Sequence, residues 1–144
     1  MKKTPRKGFT LIEILVVATI ISLLAAGAAI SYSQFVKQSR DAKRKTDIEQ
    51  IRVALEMYRS NDISSQYSAY SGNCASYTAL TAPIKYIQSM PTDPKTGYYY
   101  RCVITVSDYT IAAYLEGTTS TCPDTLICGT GINCNYCVGP YGKK

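Results

Sequence analysis

The 144-residue chain has no histidine, no tryptophan and only two phenylalanines, Phe9 and Phe35. The missing imidazole excludes Ser-His-Asp and Cys-His catalysis, histidine-ligated metals and histidine proton shuttles. No glycine-rich phosphate loop, paired-carboxylate motif or G-x-S-x-G occurs either, so neither an enzymatic site nor a cofactor is expected. Cysteine is absent before Cys74. Charge is nearly absent from Phe9 to Ile30, where Glu13 stands alone. Acidic groups number 10 against 16 basic ones, a net charge of +6. Lys2, Lys3, Arg6 and Lys7 crowd into the first eight residues, and without residues 1–8 the balance is 12 to 10, or +2. That remainder gives no electrostatic argument for a nucleic-acid partner. The length fits one domain, or one domain with a tail.

A basic stretch ahead of an apolar one is a membrane-targeting pattern. The apolar stretch, Phe9 to Ile30, has 22 residues. As a helix it reaches about 33 Å, enough to cross a bilayer core, with the basic residues on the cytoplasmic side. Three fates compete: a signal peptide cut near Ala26-Gly27-Ala28, a permanent single-span anchor, or an apolar helix that loses only its basic leader.

Glu13 separates them. A carboxylate inside a membrane segment costs about 2.5–3.5 kcal/mol on insertion scales, and a signal peptide has no use for it. No lysine or arginine lies between Phe9 and Val36 to pair with it. A cut between Gly8 and Phe9 would create an α-amino group at the same depth, with Glu13 the fifth residue from it. The amine of another copy could then neutralise the carboxylate, turning a costly charge into an assembly signal.

Lys7-Gly8-Phe9-Thr10-Leu11-Ile12-Glu13, with the apolar run behind it, resembles the processing site of type IV pilins and type II secretion pseudopilins. The resemblance implies that a prepilin peptidase cuts after Gly8 and N-methylates Phe9, and that Glu13 pairs subunits. It implies three kinds of partner besides the chain itself: the peptidase, an inner-membrane platform protein and a cytoplasmic assembly ATPase. It covers residues 1 to about 60. One departure is the lack of the helix-kinking proline many members carry near the end of the apolar run. Gly27 stands there instead and loosens a helix by about 1 kcal/mol relative to alanine, without breaking a bond.

The expected organisation is a cleaved leader (1–8), an apolar transmembrane or filament-core helix (9–30), an amphipathic continuation (31–60) and a headgroup (61–144). The expected class is α+β, a long helix packed against a small antiparallel sheet with a disulfide-rich C-terminal region. Ile48, Ile51, Leu55 and Tyr58, with Ala54 beside them, form one helical stripe that should pack on the headgroup. From Phe9 to Arg59 a single helix would span about 77 Å. Asp41 is placed to meet Lys45, and Glu56 to meet Arg59. Arg40, Lys43, Arg44 and Lys45 could bind DNA or anionic lipid, but a solvated helix face is the preferred reading.

Asn61 and Asp62 read as a stop. Ile63 to Ser76 reads as a loop, and Tyr77 to Ile87 as irregular. Pro91 to Gly97 is a turn cluster. Tyr98 to Val106 and Tyr109 to Leu115 alternate as strands around a turn at Ser107-Asp108. Pro91-Thr92-Asp93-Pro94-Lys95-Thr96-Gly97-Tyr98 is similar to the loop that leads into the sheet of major pseudopilins and of Gram-positive or related pilins. Asp93, Asp108, Glu116 and Asp124 could supply a calcium site but lack a calcium-loop pattern, and ordinary turn and hairpin-end acids are the preferred reading.

Cys74, Cys102, Cys122, Cys128, Cys134 and Cys137 allow 15 pairings. Disulfides are favoured over a zinc site, because only Cys134-Asn135-Tyr136-Cys137 has knuckle spacing. A redox C-x-x-C there lacks the neighbouring βαβ pattern. Cys102 is expected to pair outside the C-terminal cluster, with Cys74 as its candidate. The expected function is a pilin of a filament for adhesion, motility or DNA uptake, first a single-pass protein of the cytoplasmic membrane and then extracellular. The alternatives are a pseudopilin and, in another class, a secreted or anchored Cys-rich binding module.

Overall fold

A computed structural model describes residues 8–118 and 120–144, with the side chains of all but Ala29 and Ile30. Most of the expected leader, residues 1–7, lies outside the described residues. The chain divides into two compact units, the first ending at Val36 and the second running from Lys37 to Lys144.

Helix α1 spans Leu11–Asn61. In the first unit its side chains are apolar on every face, and the large ones from Phe9 to Leu24 are 47–85% exposed. A segment with a mean hydropathy of 2.5 over an 18-residue window is long and apolar enough to cross a membrane.

In the second unit α1 becomes amphipathic. Ile48, Ile51, Ala54 and Leu55 are buried, and Tyr58 packs at the edge of the same cluster, as the stripe predicts. The helix ends at Asn61. Asp62 then takes over, its Oδ2 accepting from the backbone N–H groups of Ser64 and Gln66 at 3.0 and 3.2 Å.

The buried stripe faces a five-stranded antiparallel sheet of order β1-β2-β3-β6-β7. Its strands are β1 (Tyr70–Asn73), β2 (Arg101–Ile104), β3 (Tyr109–Ala113), β6 (Tyr136–Gly139) and β7 (Gly142–Lys143). The expected alternation appears in β2, where Cys102 and Ile104 are buried while Arg101 and Val103 are not. The turn into β3 closes where expected, with Thr105 N–H donating to Asp108 O at 2.8 Å. β3 is buried along its whole length. Tyr109, Ile111 and Ala113 join the helix side of the core, while Ala112 joins a second cluster with Cys128, Cys134 and Cys137. The C-terminal segment therefore covers the other face of β3. It does so with more than loops: β4 (Ile127–Gly129) and β5 (Ile132–Asn133) form a separate two-stranded ribbon. β1 likewise lies inside the stretch that reads as a loop, followed by a 3-10 turn over Cys74–Ser76.

Tyrosine takes the place of phenylalanine and tryptophan in this core. Tyr67, Tyr77, Tyr100 and Tyr109 are all at most 3% exposed. Each hydroxyl donates a hydrogen bond, which removes the cost of burying it. Tyr100 Oη reaches Asp47 Oδ2 at 2.7 Å, Tyr109 Oη reaches Glu56 Oε1 at 2.7 Å, and Tyr77 Oη reaches Ser68 O at 2.9 Å. Tyr67 Oη lies 3.1 Å from Glu56 Oε1. Glu56 thus serves two tyrosines rather than the expected Arg59, whose guanidinium donates instead to Ser65 O and Tyr67 Oη.

Candidate functional site

Gly8 and Phe9 precede the helix and stand in the open. Phe9 is 85% exposed, and a Cβ built on Gly8 would touch nothing within 4 Å. Packing among the described residues therefore does not explain glycine at position 8.

Thr10 and Glu13 start the helix together. Thr10 N–H and Thr10 Oγ1 both donate to Glu13 Oε2 at 2.8 Å, and Glu13 N–H donates back to Thr10 Oγ1 at 3.3 Å. This is a capping box, which satisfies backbone donors that the first turn leaves without partners. A carboxylate in the first turn also lies at the positive end of the helix dipole. Glu13 is thus partnered within its own chain by a hydroxyl and an amide, not by a cation. The T-x-x-E spacing was the available signal.

A second polar cluster ties α1 of the second unit to the headgroup loops, with Arg44 at its centre and fully buried. Arg44 Nε and Nη2 donate to Asp93 Oδ2 and Oδ1 at 2.8 and 2.9 Å. Its Nη1 donates to Asp41 Oδ1 at 2.8 Å and to Glu116 Oε1 at 3.0 Å. Arg40 grips Glu116 from the other side with two bonds of 2.7 Å. Asp41 also accepts the backbone N–H groups of Glu116 and Gly117 at 2.9 and 2.8 Å. The bonds from Arg40, reinforced by Arg44, hold the Glu116 carboxyl down at about 2, against the effect of burial. Burial alone would lower the affinity of Arg44 for its proton, but the bonds to Asp93, Glu116 and Asp41 more than reverse this.

Three sequence readings are corrected here. Arg40 and Arg44 are not part of a solvated face, because carboxylates of the same chain hold both. Asp93 and Glu116 lie in the turn cluster and at the hairpin end as read, but they are more than ordinary acids there: they anchor the pre-strand loop and the end of the hairpin to the helix. Asp41 pairs with Arg44, one residue short of the expected Lys45. Of the four basic residues, Lys43 and Lys45 keep their exposure, and Lys45 lies 6.0 Å from the Tyr136 ring centre.

The cysteines are joined as Cys74–Cys102, Cys122–Cys137 and Cys128–Cys134. Cys134 and Cys137 belong to different bridges, so they are not a C-x-x-C redox couple. Among the described residues no cluster of three or more cysteines and acids could hold a metal ion.

A family model described as the prokaryotic N-terminal methylation motif matches residues 3–29. The chain therefore carries a prepilin motif, and its N-terminal part is homologous to the type IV pilins and type II secretion pseudopilins. The type IV major fimbrial protein FimA of Dichelobacter nodosus is 39% identical over 54 residues, 38% of this chain and 35% of that protein. The type II secretion system core protein G of Pseudomonas aeruginosa is 39% identical over 59 residues, 41% of this chain and 42% of that protein. The similarity thus spans well under half the length of these curated relatives. No solved structure matches the chain at a significant level.

Proposed function

We propose that this chain is the structural subunit of a type IV pilus-like filament, with no catalytic role. A prepilin peptidase cuts between Gly8 and Phe9 and methylates the new amine. Before the cut, the apolar part of α1 holds the precursor in the cytoplasmic membrane. After it, a platform protein and an assembly ATPase pack the apolar helices of many copies together, with the headgroups outside. The observation that carries this reading is the apolar segment behind the methylation motif: its large side chains are exposed from Phe9 to Leu24 and have no cover in one copy.

Glu13 supplies register. Its carboxylate, already oriented by Thr10, takes the Phe9 amine of a neighbouring copy. The similarity to a secretion core protein favours a second reading, an envelope-confined pseudopilus, by the same assembly chemistry. Mass spectrometry of the N-terminal peptide from membranes and from sheared surface material tests all of this. A methylated peptide beginning at Phe9 in the sheared fraction supports a surface filament for adhesion, motility or DNA uptake. The same peptide in membranes alone supports the pseudopilus. An intact Met1, or a start near Ser31, overturns both. Glu13→Val should leave cleavage intact and reduce assembled material at least tenfold, and a normal yield would sink the register role.

A further inference from the structure

The chain leaves little acid unanswered. Of its ten acidic side chains, nine accept a hydrogen bond from another residue of the same chain. The tenth is Asp124, whose exposed carboxylate has no partner among the described residues. Its backbone is nevertheless held. Pro123 precedes it, Leu126 N–H donates back to Asp124 O at 2.9 Å, and Cys122 is bridged to Cys137. A turn this constrained has little freedom left to lose on contact.

The arginines are used almost as fully. Arg40, Arg44 and Arg52 each grip a carboxylate, and Arg59 donates to Ser65 O. Arg101 has no such partner. Its Nη2 reaches only Ser71 Oγ, at 3.3 Å, and its Nε is buried with no acceptor among the described residues. A buried donor left without an acceptor is destabilising, more so on a charged group. Arg44 shows what the same guanidinium edge can do, since its Nε and Nη2 hold Asp93 at 2.8 and 2.9 Å. Turning the half-buried Arg101 side chain so that this edge meets a carboxylate from outside gives up only the long Ser71 contact.

The two groups lie on one side of the headgroup. Arg101 stands opposite Ala112 in the β2–β3 ladder, and Ala112 belongs to the cluster on the sheet face turned away from α1. Cys122 and Leu126 pack on that same cluster, and Asp124 lies between them in the chain. No acid occurs in β1, β2 or β3 for Arg101 to take instead. Nor do Arg101 and Asp124 pair with each other inside one copy.

We propose that Arg101 of one copy takes Asp124 of a neighbouring copy, joining headgroup to headgroup by an ion pair on the sheet face turned away from α1. The proposal rests on the filament reading and adds a contact that the apolar segment does not supply. Two different patches meet in it, so the contact is heterologous. Repeated from copy to copy, such a contact builds an open helical array rather than a closed dimer.

Charge reversal in the full-length chain, followed by mixing, tests it. Arg101→Asp and Asp124→Arg, expressed separately, place like charges at every contact and should each lower sheared material about tenfold or more. Expressed together, the two chains restore opposite charges wherever they alternate. Sheared filaments should then return, with the altered 101 and 124 peptides in equal amounts by mass spectrometry. Asp124→Asn removes no bond within the chain, so its unfolding midpoint in detergent should match wild type while its yield falls about threefold. Normal yield from either reversed chain, or from Asp124→Asn, overturns the pair and leaves the filament reading standing. Rescue when both reversals sit in one chain, but not when two chains are mixed, also overturns it, because the pair is then internal to a copy. Should Arg101→Asp fold poorly, Asp124→Asn decides alone. An unaltered chain with an unprocessed N-terminus and no filaments overturns both readings.

Discussion

Arg44 and Asp93 meet through two parallel hydrogen bonds of 2.8 and 2.9 Å, across 49 residues of sequence. Both side chains are almost completely buried. A guanidinium on the helix thereby fixes the loop that leads into the sheet. Removing one member of a buried ion pair leaves the other charged and stranded, at about 3–5 kcal/mol. Arg44→Met should therefore destabilise the headgroup by roughly that amount. Arg44→Lys should recover only part of the loss, since an ammonium lacks the planar fork. Denaturant unfolding of the full chain in detergent gives the comparison, and wild-type stability in Arg44→Met would refute the anchoring role.

Glu116 predicts the acid limb of the stability curve. Its folded value, about 2, lies below the ordinary 4.5, so its contribution is complete above pH 4.5 and disappears as pH falls through 2. The melting temperature should drop across that window. Glu116→Gln should start lower at neutral pH and show a shallower acid slope. Equal slopes in the two proteins would assign the acid sensitivity elsewhere.

The buried tyrosines predict the alkaline limb. Burial raises Tyr100 and Tyr109 first, and the hydrogen bonds they donate to Asp47 and Glu56 raise them further. Burial also lifts Tyr77 to about 12. A raised folded value means the stabilisation is whole below the ordinary 10 and is lost as pH climbs beyond it. Tyrosinate absorbance from Tyr77, Tyr100 and Tyr109 should then appear only with unfolding. A single stage near pH 10 would show that the core tyrosines are not shielded.

The Cys122–Cys137 bridge holds the segment that covers the outer face of β3. Replacing both cysteines by serine should cost about 2–4 kcal/mol. Protection of the Ala112 amide from hydrogen exchange should fall with it. Unchanged protection would mean that the segment holds itself in place without the bridge.

The sequence made some of this legible and hid the rest for physical reasons. The Ile48, Ile51 and Leu55 stripe and the alternation in Cys102 and Ile104 are short-range periodicities, and both appear as expected. β1, β4, β5 and β7 are two to four residues long, and periodicity needs more length than that to register. The roles of Asp93 and Glu116 were hidden because their partner Arg44 lies 49 and 72 residues away. The Thr10–Glu13 contact is legible in the three-residue spacing, but it joins a carboxylate to a hydroxyl and an amide, which a pattern of opposite charges does not show.

The arrangement of the three bridges decides what happens when the backbone is cut. A break anywhere between Cys74 and Cys102 leaves its two ends joined through that bridge, and a break between Cys122 and Cys137 does the same. Together these intervals include the turn cluster at Pro91–Gly97 and the glycine-rich ribbon. In a filament exposed to foreign proteases, a subunit nicked at either place would stay whole and in its position. Between Cys74 and Cys137 only the stretch from Cys102 to Cys122, the β2–β3 hairpin and its exit, lacks such insurance, and β3 within it is the strand buried along its whole length.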